Sequence, residues 1–281
     1  LEQAIQLMKE HWFDSIQLIV FPETMIIEAV NEATIYNNKW ITLLKESIPE
    51  LSKTSILTGA FTRRNATEAP KDQQAIITDT NSYLLYNSSL LIQKDTIQIY
   101  HKHQLVPLVE KQPFFWLMKP LQKYIEKSGG FFGRYGTYNS STTFKLNDST
   151  KIAPLICFES TFGDYTSSAQ NGSSFIVLIT NDGWWSSKAG YLQHLALARL
   201  RAIESGKWII RCANTGVSAI INYKGRIIHQ TQYGEAAVIN ADVLLVNDST
   251  FYTAYGEMIG KITLMLSIVF LSIILLKKHQ T

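Results

Sequence analysis

Short runs of apolar and β-branched residues recur along the chain, each about the length of a strand. They are Ser15–Phe21 (SIQLIVF), Thr54–Phe61 (TSILTGAF), Ser82–Ile92, Thr96–Tyr100, Lys151–Phe158 (KIAPLICF), Ser174–Thr180 (SFIVLIT) and Lys207–Cys212 (KWIIRC). Most are nearly continuous in apolar residues rather than alternating, the pattern of strands covered on both faces. Val217–Asn222 and Arg226–Gln230 flank Tyr223-Lys224-Gly225, whose Lys-Gly turn predicts a hairpin. Helical patterns lie between the strands: residues 1–14, Thr34–Glu46 and Tyr191–Ser205. In the last, Leu192, Leu195, Ala196 and Ile203 are expected to share one face, and Gly206 supplies a stop. Strands and helices mixed in this way predict an α/β domain with its sheets buried under helices.

The C-terminus carries a different pattern. From Ile262 to Leu276 every residue is apolar except Thr263, Ser267 and Ser272, and Lys277-Lys278 follow. With Met258–Lys261 added, the stretch is near the lower limit for crossing a bilayer. A core helix would keep a polar side, whereas this segment is apolar on all faces and has nothing after it to pack on, so it predicts a membrane span. The excess of lysine at its end puts Lys277 and Lys278 on the cytoplasmic side and the preceding domain on the external face. The predicted division is a domain over 1–257 and a transmembrane helix over 258–278. The chain opens without an initiator Met or a signal-peptide pattern, in a helix that reads as already inside a domain, so an N-terminal part is expected to be missing.

Composition narrows the function classes. Over 281 residues, 46% are hydrophobic and 17% charged, which supports a sizeable core and excludes global disorder. A net charge of +3, with no basic stripe interleaved with aromatics, argues for no nucleic-acid partner. The two cysteines, Cys157 and Cys212, form neither a disulfide framework nor a metal-ligand spacing. Gln112–Tyr135 is crowded with aromatics and ends in a Gly-rich segment. Two readings of it stay open: a core helix with a loop, or an arm that meets lipid or covers a pocket.

Three short motifs stand at predicted strand ends, where a rigid scaffold presents side chains to loops. Val20-Phe21-Pro22-Glu23 closes one strand, and Pro22 ends its ladder. Tyr100-His101-Lys102-His103 follows another and runs into Leu105-Val106-Pro107-Leu108-Val109-Glu110. Ile156-Cys157-Phe158-Glu159 ends a third. Taken singly, each has a bland reading: a core cysteine, a solvated glutamate, a surface lysine. Their order along the chain is more specific than any one of them.

That series resembles the nitrilase (carbon–nitrogen hydrolase) superfamily, across roughly Ser15 to Val246. The resemblance implies a four-layer αββα sandwich and a catalytic triad of Glu23, Lys102 and Cys157. Within the superfamily the chain is most similar to the apolipoprotein N-acyltransferase family. His101–Glu110 (HKHQLVPLVE) matches its lysine segment, with a second glutamate at Glu110. Ile156–Glu159 matches its nucleophile segment, with Glu159 two residues after the cysteine and Phe158 where that family more often has Tyr. Thr180–Trp185 (TNDGWW), Gln193-His194 and Ala198–Ala202 match the segment that follows. A membrane helix after the domain fits too, while the several membrane helices that the family carries before it are not in this sequence.

The implied chemistry is covalent catalysis. Cysteine attacks as thiolate, so Glu23 is the candidate general base, and Lys102 with a backbone N–H after Cys157 the candidate oxyanion donors. Glu110 is expected to orient Lys102, and Glu159 to hold the loop or Glu23. Trp184, Trp185 and Phe158 are expected at the substrate pocket. The expected acyl donor is a membrane phospholipid and the acceptor a diacylglyceryl-modified apolipoprotein, on the external or periplasmic face of a bacterial inner membrane. No cofactor and no metal is expected. His194 reads as a structural hydrogen bonder, Cys212 as core, and Asn214-Thr215-Gly216 as a turn supporting the site. Two rivals remain: an amidase using the same triad with water as acceptor, and a membrane protein that keeps the fold as a binding module.

Overall fold

The computed structural model describes residues 1–65, 76–77, 82–107, 109–111, 135–137, 143–184 and 188–278. Among them lie six α-helices: α1 (Glu2–Glu10), α2 (Lys39–Glu46), α3 (Gly163–Ala169), α4 (Lys188–Ser205), α5 (Phe251–Tyr255) and α6 (Met258–Lys278). A first sheet holds β1 (Leu18–Val20), β2 (Ile26–Asn31), β3 (Ser55–Asn65), β4 (Ile76–Ile77), β5 (Ser82–Ile92) and β6 (Ile97–His101). In it β1 and β2 run parallel to β3, while β5 is antiparallel to β3, β4 and β6. A second sheet holds β7 (Phe144–Lys145), β8 (Lys151–Ile156), β9 (Phe175–Asn181), β10 (Ile209–Asn214), β11 (Ala219–Ile221) and β12 (Ile227–Gln230). Its centre, β8-β9-β10, is parallel and its flanking pairs are antiparallel.

Strand alternation builds three apolar layers. In β9, Phe175, Val177 and Ile179 point into a core shared with Leu57 and Leu91 of the first sheet, which packs the two sheets face to face. Ile176 and Leu178 point the other way, against Leu195, Ala198 and Ala202 of α4. On the far side, Ile56, Leu90 and Ile92 meet Ile5 and Met8 of α1 and Ile41 and Leu44 of α2. The order helix, sheet, sheet, helix is the four-layer sandwich expected, and it explains the continuous apolar runs. Each fully buried aliphatic side chain in these layers contributes about 1.5–3 kcal/mol.

Several local expectations need correction. Thr34–Glu46 is not one helix: a 3-10 segment, Glu32–Asn37, ends before α2. Asn38 lies between them, extended, and its side chain accepts from Trp40 N at 3.0 Å and Ile41 N at 3.3 Å, starting a new helix there. On α4 the expected face is wrong as well. Leu192 and Ile203 are exposed, and the buried stripe is His194, Leu195, Ala198, Arg201, Ala202 and Ser205. Small alanines let this helix lie close on β8 and β9, and its buried polar residues find partners. The sequence also did not predict β2, β4, β7, α3 or α5. Gly206, at φ 66°, ends α4 as expected.

Polar ties join the last helices to the second sheet's outer layer. Thr250 caps α5 by accepting from Thr253 N at 3.1 Å, and its hydroxyl donates to the Glu204 carbonyl at the end of α4. Gln170, just past α3, donates to Thr253 Oγ1 at 3.1 Å, and Asp164 of α3 accepts from Glu257 N at 2.8 Å, immediately before α6. Helix α6 is long and apolar enough over Met258–Leu276 to cross a membrane, and its side chains are exposed, Ile259 by 80% and Phe270 by 68%.

Candidate active site

Glu23, Lys102 and Cys157 lie at the C-terminal ends of β1, β6 and β8. Each is placed by local backbone demands. After Glu23 the chain turns sharply at Thr24 (φ 53°) into β2. Gly59 of β3 makes room for that turn: a Cβ there would sit 2.6 Å from Glu23 Cα. Lys102 is held by its own N–H, which donates to the Asn87 carbonyl at 2.8 Å. Cys157 takes a left-handed conformation (φ 50°) as β8 gives way to the 3-10 turn Cys157–Thr161. For a residue with a side chain this costs about 1–3 kcal/mol.

The structure brings the buried carboxylates and the lysine together. Lys102 Nζ donates to Glu110 Oε1 at 2.8 Å and to Glu23 Oε1 at 3.3 Å. Asn87 Nδ2 spans the same two oxygens, at 2.7 Å from Glu23 and 3.2 Å from Glu110. Glu110 Oε2 accepts from Val106 N at 2.8 Å, which closes the loop around the lysine. Among the described residues Glu23 Oε2 is buried and accepts no hydrogen bond. Burial alone would pull the Lys102 ammonium down, but Glu23, Cys157 and Glu110 outweigh it and raise it well above the usual lysine range.

Cys157 is within reach of these charges. Burial first, then the charge of Glu23, pushes its thiol up to about 12, against the opposing pull of Lys102, the Thr180 hydroxyl and the Asn181 backbone. The thiol is therefore a resting acid that needs a base at the moment of attack.

Glu159 is buried and pins two segments at once. Its Oε1 accepts from Tyr100 Oη at 2.7 Å, His103 N at 2.6 Å and Gln104 N at 3.3 Å, while its Oε2 accepts from Ile156 N at 2.7 Å. It ties the nucleophile turn to the lysine segment and makes no bond to Glu23. Burial raises its pKa in spite of these donors. Phe158 is partly exposed and meets Phe162 edge-on at 5.1 Å between centroids. Trp184 ends a short turn after β9. Trp185 and residues 112–134 of the aromatic stretch lie outside the described residues. Gly216 supports the site as a contact point: a Cβ there would collide with the Asp182 carboxylate.

Sequence reasoning missed three contributors. Asn87 was signalled only by being a polar residue inside the apolar strand β5. Thr180 opened the Thr180–Trp185 motif but was given no role of its own. Tyr135 stacks on Phe61 at 5.6 Å, and its N–H donates to the Glu110 carbonyl at 3.2 Å. Burial, then Glu110, pushes its hydroxyl up to about 12, with Lys102 opposing.

Over 258 residues the chain is 31% identical to an apolipoprotein N-acyltransferase of Chlorobaculum tepidum, covering 89% of this chain and 48% of that protein. An apolipoprotein N-acyltransferase of Vibrio parahaemolyticus is 27% identical over 259 residues, covering 89% and 46%. The chain thus spans about half the length of the curated relatives it matches. A crystal structure of a carbon–nitrogen hydrolase from Helicobacter pylori superposes with a TM-score of 0.55 over 84% of this chain and 79% of that one, at 14% identity, a likeness of fold. The carbon–nitrogen hydrolase family model matches residues 1–247, nearly the whole of both sheets and their helices, and the chain belongs to that family.

Proposed function

We propose that this chain is the catalytic part of a membrane-anchored N-acyltransferase, with a catalytic domain over 1–257 and a transmembrane helix over 258–278. The observation that carries the reading is the lysine shared by two buried carboxylates beside a protonated thiol, in a chain whose curated relatives bear that activity. The proposed site lies on the external or periplasmic face of a bacterial inner membrane.

Glu23 Oε2, which has no donor among the described residues, takes the thiol proton as Cys157 Sγ attacks the ester carbonyl of a phospholipid. Lys102 and the Phe158 N–H stabilise the tetrahedral oxyanion. Collapse breaks the ester C–O bond, and the lysophospholipid leaves with the proton returned by Glu23. The thioester is then attacked by the α-amine of a diacylglyceryl-cysteine at a lipoprotein N-terminus. Glu23 takes the amine proton, an amide forms, and Cys157 leaves as thiolate and is reprotonated. Glu110 keeps Lys102 aimed, Glu159 fixes the nucleophile turn, and Phe158, Trp184 and Trp185 line the acyl pocket.

The test is intact-mass analysis of the membrane-embedded full-length protein after incubation with labelled phospholipid, beside Cys157→Ala. The reading expects an acyl adduct on wild type alone, discharged as an N-acyl product by a diacylglyceryl-cysteine peptide. An adduct discharged by water but not by that amine would support an amidase instead. No adduct, or an equal one in the alanine variant, would remove the thioester mechanism.

A further inference from the structure

Behind Cys157 runs a chain of buried polar groups that none of these steps uses. The Ser160 hydroxyl donates to the Cys157 carbonyl at 2.8 Å. His194 Nε2, on α4, lies 3.1 Å from the same carbonyl and 3.0 Å from Ser160 Oγ. The other ring nitrogen, Nδ1, lies 3.0 Å from Asp182 Oδ1, a carboxylate oxygen that only accepts. Arg211 NH2 donates to both Asp182 oxygens, at 3.0 and 2.8 Å, and the Thr180 hydroxyl adds a bond at 3.3 Å. Ser160, His194, Asp182 and Arg211 are all buried, so the cluster is a rigid internal support and not a surface patch. The two ring nitrogens of His194 thus face Asp182 at one end and the Cys157 carbonyl with the Ser160 hydroxyl at the other.

The carbonyl is an informative place to hold. Cys157 sits in the left-handed region, from which an unsupported residue with a side chain tends to relax. The peptide between Cys157 and Phe158 is planar and trans, so its carbonyl and its N–H point in opposite directions. Fixing the carbonyl toward α4 therefore fixes the Phe158 N–H away from α4. That N–H belongs to the first turn of a helical segment, where amide groups have no intrahelical acceptor.

We infer that His194, backed by Asp182 and Arg211 and joined by Ser160, is a positioning residue that aims the Phe158 N–H at the oxyanion through the Cys157–Phe158 peptide plane. The inference rests on the reading of Cys157 as an acyl-accepting nucleophile, but not on the identity of the acyl donor.

The experiment compares two reactions of one thiol in the detergent-extracted full-length protein. Acylation by a p-nitrophenyl fatty ester passes through an oxyanion, whereas alkylation by iodoacetamide does not. In His194→Leu the single-turnover acylation rate is expected to fall about 10- to 100-fold, somewhat less than for outright loss of an oxyanion donor. Alkylation is expected to stay within about threefold of wild type, since thiol access and acidity are untouched. His194→Gln, whose side-chain N–H offers a donor of similar reach, is expected to recover most of the acylation. If the leucine variant loses its melting transition, Ser160→Ala takes its place, removing one donor at the carbonyl with little loss of volume. Acylation within about twofold of wild type in these variants, or acylation and alkylation falling together, would overturn the inference. A wild-type thiol that alkylates but is never acylated would instead remove the nucleophile reading, and this inference with it.

Discussion

Lys102 sits closer to Glu110 than to Glu23, with its ammonium 2.8 Å from the first carboxylate and 3.3 Å from the second. Glu110 is thus the nearer of the ammonium's two partners. In Glu110→Ala the ammonium is expected to close on Glu23 and quench the base. Acylation of Cys157 should slow by about 10- to 100-fold, as small misplacements of catalytic groups do. The broken buried pair should also cost about 3–5 kcal/mol of stability. A mass-spectrometric time course and a denaturant melt check the two parts.

Glu23 acts on the thiol in two opposing ways. Its charge opposes formation of the thiolate at rest, yet in the proposed mechanism it is the base that removes the proton during attack. Glu23→Gln removes both. The thiol then becomes more acidic, so its alkylation by iodoacetamide at about pH 9 should be faster than in wild type. Acylation in the same variant should fall by about 100-fold or more, the usual scale of a lost general base. Rates that move in the same direction would argue against Glu23 as the base.

His101 gives the fold an acid limit. Burial, and then the charge of Arg64, lowers its pKa to about 3. Its folded pKa lies below its unfolded one, so above about pH 6.5 the ring is neutral in both states and has no effect. As pH falls from about 6.5 toward 3 the unfolded chain binds a proton that the folded one refuses. Stability should therefore drop by up to about 1.4 kcal/mol per pH unit from this group. His101→Gln, which can still bond the Ser88 hydroxyl that His101 Nδ1 meets at 2.9 Å, should narrow the gap in melting temperature between pH 7 and pH 5 (both about).

Much of the architecture was legible because parallel central strands must be apolar on both faces, as β9 is. The site was legible as an order of motifs, but not as a geometry. Glu110 was expected beside Lys102, but nothing in the linear chain says that Asn87 bridges two carboxylates, since that contact joins separate strands and loops. The buried face of α4 was misread because periodicity counts large apolar residues. The helix instead buries alanines together with His194, whose partners Asp182 and Cys157 lie on other elements, and Arg201, which pairs with Glu204 one turn on. β2 was missed because Glu28 interrupts its short apolar run.

The apolar C-terminal helix makes its own prediction. The protein should stay with membranes through a carbonate wash. Leu266→Arg, near the middle of the span, adds roughly 2.5–3.5 kcal/mol to insertion and should release a detectable fraction. Release of the unaltered protein by carbonate would show that the helix does not span.

Helix α3 begins two residues after the nucleophile turn, and its Asp164 holds the backbone of Glu257 at the threshold of α6. The sulfur and the first turn of the proposed span are thus linked through eight residues of chain, Cys157 to Asp164, and one hydrogen bond. In the proposed membrane-bound state such a linkage would work as a depth gauge. A helix seated deeper or shallower in lipid would carry the thiol with it, so bilayer thickness would set how far along a lipid the thiol can reach.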